Sequence, residues 1–104
     1  MQTDINKALY LWFSSNKDSL AEAGLELEYF RNPNSSGSCL DVFSSSWVGR
    51  STVWETGECD CEVLNASGQQ VLWRHHEGIN ATNLGSLIAE LVFIVSNESL
   101  APQE

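Results

Sequence analysis

Between Gly24 and His76 the chain is a succession of short alternating or apolar runs, each closed by turn chemistry, and that rhythm leaves few folds open. Leu25-Glu-Leu-Glu-Tyr29 alternates strictly, the mark of a half-buried strand. Arg31-Asn-Pro-Asn-Ser-Ser-Gly-Ser38 is a turn cluster, and Cys39-Leu-Asp-Val-Phe43 is a second strand. Ser44-Ser-Ser46 ends it. Val48 to Glu55 and Glu58 to Leu64 form a third and a fourth strand joined at Thr56-Gly57. Asn65-Ala-Ser-Gly68 is another turn, followed by a fifth strand from Val71 to His75. Such strands, joined by such short connections, read as a five-stranded antiparallel meander.

Helical spacing appears only at the two ends. Over residues 4–23, Ile5, Leu9, Trp12, Phe13 and Leu20 share one face with Asn16 as a polar interruption. Thr3 or Asp4 can cap this helix, and Gly24 suits its stop. Residues 82–95 read as a closing helix, with Asn80 or Thr82 as cap candidates. The expected fold is α+β: N-terminal helix, five-stranded antiparallel meander, C-terminal helix, both helices on one sheet face. The 104 residues suit a single domain spanning 1–104, long enough to bury a core without a metal or a disulfide.

The pairing register decides which side chains meet the helices, because a one-residue slip inverts a strand. A two-residue Thr56-Gly57 loop pairs Glu55 with Glu58, Trp54 with Cys59 and Thr52 with Cys61. A two-residue loop at Ser67-Gly68 would place Arg74 opposite Cys61 and Trp73 opposite Glu62. A three-residue loop with Gly68 left-handed places Val71 opposite Val63, Trp73 opposite Cys61, Arg74 opposite Asp60 and His75 opposite Cys59. The three-residue option segregates apolar from charged side chains and is preferred. Trp54, Cys59, Cys61, Val63, Val71 and Trp73 are then expected to face the helices. Glu55, Glu58, Asp60, Glu62 and Arg74 face outward, joined by Glu26 and Glu28 from the first strand. Glu55 opposite Glu58 is a like-charge pair costing about 0.2–1 kcal/mol, which a cationic partner would relieve.

Charge points the same way. Asp and Glu outnumber Lys and Arg 14 to 5, a formal net charge of −9. Such a chain repels phosphate and anionic lipid and attracts basic partners, so nucleic-acid binding is not expected. The N-terminal MQTDINKALYLWF has no basic n-region or long apolar core, and no signal peptide is read there. Leu87 to Val95, the most apolar run, contains Glu90 and falls far short of the roughly 20 residues that span a bilayer. A cytoplasmic location is expected. The Asn-x-Ser/Thr matches at Asn34, Asn65, Asn80 and Asn97 then read as turn and cap chemistry.

Cys59-x-Cys61 with His75-His76 and Cys39 invites a zinc site, since residues i and i+2 of a strand share a face. Structural zinc sites usually take C-x₂₋₄-C pairs at turns, and only one cysteine pair is present, so buried free thiols are the favoured reading. No cofactor is expected. A Cys–His or Glu–His pair could be drawn as a catalytic set, but there is no Gly-rich phosphate loop, no G-x-S-x-G and no H-E-x-x-H. An enzyme is not expected. Among the four tryptophans, Trp12, Trp54 and Trp73 read as core, and Trp47 as either a core lid or an interface anchor. The acidic face reads either as a solubility device or as a docking surface.

At residues 47–77 the elements Gly49-Arg50-x-Thr52-Val53-Trp54-Glu55-x-Gly57, Asp60-x-Glu62-Val63 and Trp73-x-His75-His76-Glu77 resemble the TriTu-type immunity proteins of bacterial polymorphic toxin and contact-dependent growth inhibition systems. Cys59 and Cys61 are not part of that resemblance. It implies a small cytoplasmic protein that binds and neutralises the C-terminal domain of a cognate toxin, often a nuclease and hence basic. Glu55, Glu58, Asp60 and Glu62 would meet its Lys and Arg residues, with Arg74 beside them and Trp47 as an apolar anchor at the rim. The alternative is a non-enzymatic interaction or adaptor domain with an acidic binding face.

Overall fold

A computed structural model describes residues 4–97. Its elements run α1 (Ile5–Glu22), β1 (Glu26–Arg31), β2 (Gly37–Phe43), β3 (Val48–Trp54), β4 (Cys59–Leu64), β5 (Gln70–His76) and α2 (Leu84–Ser96). The strands form one antiparallel sheet in the order β1-β2-β3-β4-β5. Both helices lie on the same face: α1 crosses β1, β2 and β3, and α2 crosses β2 and β3. The expected α+β architecture is the observed one.

Local chemistry explains the helix ends. Asp4 caps α1 by accepting from the Asn6 N–H at 3.0 Å. At its other end the Leu25 N–H returns to the Leu20 carbonyl at 2.8 Å across Gly24, whose φ is +91°. Before α2, the Asn80 side chain accepts from Thr82 N (2.8 Å) and Asn83 N (3.1 Å), so Asn80 closes a turn and the helix proper begins later than expected, at Leu84. Asn65 does similar work between β4 and β5, accepting from Ser67 N and Gln69 N at 3.0 Å each.

The core lies between the sheet and the helices. Leu9, Leu40, Val42, Val53, Cys59, Val63, Ile88 and Val95 have no exposed surface, and Ile5, Leu27, Cys61, Leu84 and Leu91 complete the cluster. Gly49 belongs here because α2 passes directly over it: a Cβ at that position would sit 2.7 Å from Val95 Cγ2. Asn6 is the buried polar member. Its amide donates to the Ser36 carbonyl (2.9 Å) and accepts from Ser38 Oγ (2.6 Å), which ties α1 to the start of β2.

Two registers differ from expectation. The β3–β4 connection is a three-residue loop, Glu55–Gly57, with Gly57 at φ +92° and Trp54 N donating to the Glu58 carbonyl at 3.0 Å. A type I turn closed by a left-handed glycine is a common hairpin loop. It pairs Val53 with Cys59 and Ser51 with Cys61. Val53 therefore takes the core position expected for Trp54, and Trp54 turns to the open face. No Glu55–Glu58 cross-strand pair forms; Glu55 sits in the loop, 3.7 Å from Arg31.

The β4–β5 loop has the expected three residues and a left-handed Gly68, and it pairs Leu64 with Gln70. A bulge then inserts Val71, and from Leu72 onward every β5 residue is inverted. Leu72 pairs with Val63, Trp73 with Glu62, Arg74 with Cys61, His75 with Asp60 and His76 with Cys59. The bulge gives Val63 an apolar partner in Leu72. Arg74 can face the helix side because β5 is an edge strand, where its guanidinium reaches Glu90 of α2 at 3.4 Å.

Candidate functional site

The face of the sheet that carries no helix is built from the residues alternating with the core. Its cross-strand rows follow from the registers. One row runs Glu26, Phe43, Val48, Leu64, Gln70; the next Glu28, Asp41, Arg50, Glu62, Trp73; the third Phe30, Cys39, Thr52, Asp60, His75. Trp54 ends the face against Gly37, where a side chain would strike its ring at 2.8 Å. Phe30 and Trp73 stand on the two edge strands, 61% and 54% exposed, and supply the two large apolar surfaces this face offers to solvent.

Two of its carboxylates are matched within the chain. Arg50 donates from Nε and Nη2 to the two oxygens of Asp41, at 2.7 and 2.9 Å. That bidentate bond raises the guanidinium pKa above its ordinary value and covers most of Asp41. His75 Nδ1 lies 2.5 Å from Asp60 Oδ1, and Nε2 lies 3.5 Å from Glu77 and 3.7 Å from Glu58. The Asp60 hydrogen bond, against the opposing effect of burial and helped by the other carboxylates, raises the imidazole pKa above its ordinary value. Among the described residues, Glu26, Glu28 and Glu62 have no cation within ion-pairing distance.

The six sequence candidates fall on different parts of the molecule. Asp60 and Glu62 project from the open face on β4, half-buried among their neighbours. Glu58 and Glu55 lie at the end of the same face, the former accepting from Thr56 Oγ1 at 3.1 Å and the latter beside Arg31. Trp47 is half-buried against the core on the helix side, its backbone N–H donating to Ser44 Oγ at 3.1 Å. Arg74 also lies on the helix side, held by Glu90. Sequence reasoning missed Trp73, His75, Arg50, Asp41 and Phe30 as members of the open face. The bulge at Val71 hid the first two, and no residue type in β5 signals it.

The same inversion exchanges the histidine beside the cysteines: His76, not His75, lies across from Cys59 on the helix side, its Nε2 buried without a hydrogen-bond partner among the described residues. Cys59 and Cys61 are buried toward the helices, 3.3 and 3.8 Å from Ser51 Oγ, while His75 points to the opposite face. Their mutual hydrogen bond and burial push the Cys59 thiol up, while the same bond lowers that of Cys61. Cys39 sits on the open face, 3.4 Å from Thr52 Oγ1. Among the described residues no three His, Cys, Asp or Glu side chains converge on a position that could hold a metal ion.

Among the described residues the two-layer fold leaves one sheet face without a helix, acidic and edged by aromatic rings. The family is shown by the match of residues 7–93 to the family model described as Immunity protein TriTu: the chain belongs to the TriTu family of immunity proteins. The match takes in all five strands and most of both helices. No curated protein matches the chain. No helix among the described residues is long and apolar enough to cross a membrane.

Proposed function

We propose that this immunity protein neutralises a cognate toxin domain by laying the open face of its sheet, at the β4 and β5 end, over a basic surface of that domain. The observation that carries the reading is the segregation of charge across β4. Cys59, Cys61 and Val63 are buried under the helices, while Asp60 and Glu62 stand on the face that carries no helix among the described residues. Glu55 and Glu58 extend the acidic surface at one end, and Glu26 and Glu28 extend it at the other. A toxin that acts on nucleic acid needs a basic cleft to hold phosphate, and carboxylates on a rigid sheet can occupy such a cleft and shut out substrate. The protein works by binding, in the cytoplasm, without a cofactor. Trp47 and Arg74 lie on the other side of the sheet and form no part of this surface.

The test is capture of the partner with tagged protein in the source bacterium, followed by calorimetry of the purified pair at low and moderate salt. The expected partner is the C-terminal part of a large secreted protein, bound more weakly as salt rises. Replacing Glu58, Asp60 and Glu62 together by Lys is expected to weaken binding on the order of a thousandfold, about 4 kcal/mol, with the fold intact. Unchanged affinity would move the binding surface to the helices or to the 31–38 loop. A diffuse set of basic proteins, with no dominant partner, would reduce the acidic face to a solubility device.

A further inference from the structure

The β5 edge of the open face is built to choose among cations as well as to attract them. Trp73 stands in the middle of the edge strand with about half of its surface exposed, directly across from Glu62. Its indole is stacked along the strand with the His75 ring, centroids 6.4 Å apart and planes within 14°. His75 is itself fixed by Asp60 at 2.5 Å. Asp41 is matched by Arg50 and Asp60 by His75, whereas Glu62 has only the longer-range attraction of Arg50, its neighbour on β3, which gives Nε and Nη2 to Asp41. A broad aromatic plane thus lies next to a carboxylate with no direct ion pair among the described residues, on a surface whose net sign is negative.

We infer that this corner receives an arginine side chain of the partner, its guanidinium plane laid on the Trp73 indole and its edge turned to Glu62. The inference rests on the proposed toxin-binding face and names the residue chemistry that this face selects. A bare apolar residue would have to desolvate Glu62 without compensating it. A lysine would meet the charge, but as a point cation it can neither stack its plane nor fork onto a carboxylate. Arginine satisfies both groups at once. Phe30 on β1 provides a built-in comparison, since it is exposed in the same way but has Cys39 across from it where Trp73 has Glu62.

The experiment needs no toxin. The full chain is titrated with a capped Gly-Ser peptide carrying several arginines, and with the same peptide carrying lysines, at equal ionic strength, while the indole and backbone N–H signals are followed by heteronuclear NMR. The Trp73 indole and the amides of Glu62 and Trp73 are expected to move most, with the arginine peptide binding on the order of threefold tighter than the lysine peptide. Trp73→Ala should erase the preference, Trp73→Phe should keep part of it, Glu62→Gln should weaken both peptides, and Phe30→Ala should change neither. Equal binding of the two peptides, or shifts as large at Glu26 and Glu28 as at Glu62, would overturn the inference. If the toxin binds and depends on the acidic face while the peptides show no preference, the arginine receptor fails alone. A peptide preference for arginine with no dependence of toxin binding on the acidic face would overturn the proposed function instead.

Discussion

The two faces of this sheet are made of the same strands, often of adjacent residues, yet they are under different physical control. On the helix side β3 presents Gly49, Ser51 and Val53, chosen by volume: small where α2 passes close, apolar where it does not. On the open side the same strand presents Arg50, Thr52 and Trp54, each placed against a cross-strand neighbour rather than against a helix. The covered face sets the fold, and the open face is free to vary in charge because little depends on its packing.

The strongest way to break this comparison is to truncate one residue on each face. Leu40, on the helix side of β2, is fully buried, and Leu40→Ala is expected to cost about 2–5 kcal/mol in urea unfolding. Trp73→Ala removes a larger side chain from the open face but should stay within about 0.5 kcal/mol. Comparable losses would mean that the open face also holds the fold together.

A finer test of the covered face is Gly49→Ala. The added methyl would meet Val95 Cγ2 at 2.7 Å and Leu91 Cδ1 at 3.1 Å, both on α2 and both in the core. The expected cost is about 1–3 kcal/mol, with a matching loss of α2 protection in hydrogen exchange. A neutral result would show that α2 can lift from the sheet without penalty.

These faces were unequally legible in the sequence. Element order, strand limits and the burial of Cys59, Cys61 and Val63 follow from periodicity, because alternation over a run of residues is a redundant signal. The facing of Trp54 and Trp73 rests instead on single events. One is whether the loop after Trp54 holds two residues or three, and the other is whether β5 carries a bulge after Gln70. Each moves a tryptophan to the other face, and neither leaves a compositional trace. Hydrophobicity also misled, since a tryptophan reads as core wherever the pattern permits it. Asn6 leaves no signal in the sequence, because a buried asparagine is recognisable only once Ser36 and Ser38 are placed beside it.

Arg74 gives a smaller test of the same inversion. It lies on the helix side with its guanidinium 3.4 Å from Glu90, and both side chains are about half exposed. Arg74→Ala is expected to cost less than about 1 kcal/mol, and to be matched by Glu90→Ala with no further loss in the double variant. It should leave toxin binding unchanged. A binding defect as large as that of the Glu58, Asp60 and Glu62 reversal would return Arg74 to the partner surface.

The smallest expected effect lies in the pH dependence of the open face. The Asp60 hydrogen bond raises the pKa of His75 above its ordinary value of about 6.5. A group whose folded pKa is raised lends stability that is complete below its unfolded pKa and lost as pH rises through its folded pKa. The stabilising contribution of the His75–Asp60 pair should therefore be present at about pH 6 and fade at higher pH. His75 is exposed, so the change in unfolding free energy will be slight, and the sharper reading is the imidazole titration followed by NMR. Its midpoint is expected above 6.5 in the native chain, falling back toward that value in Asp60→Asn. Because the imidazolium is a cation the chain supplies to its own acidic face, deprotonating it makes that face more negative. Toxin affinity should then rise modestly with pH over the same window. A midpoint at the ordinary value would show that His75 and Asp60 are neighbours without being partners, and would leave the face with a fixed charge.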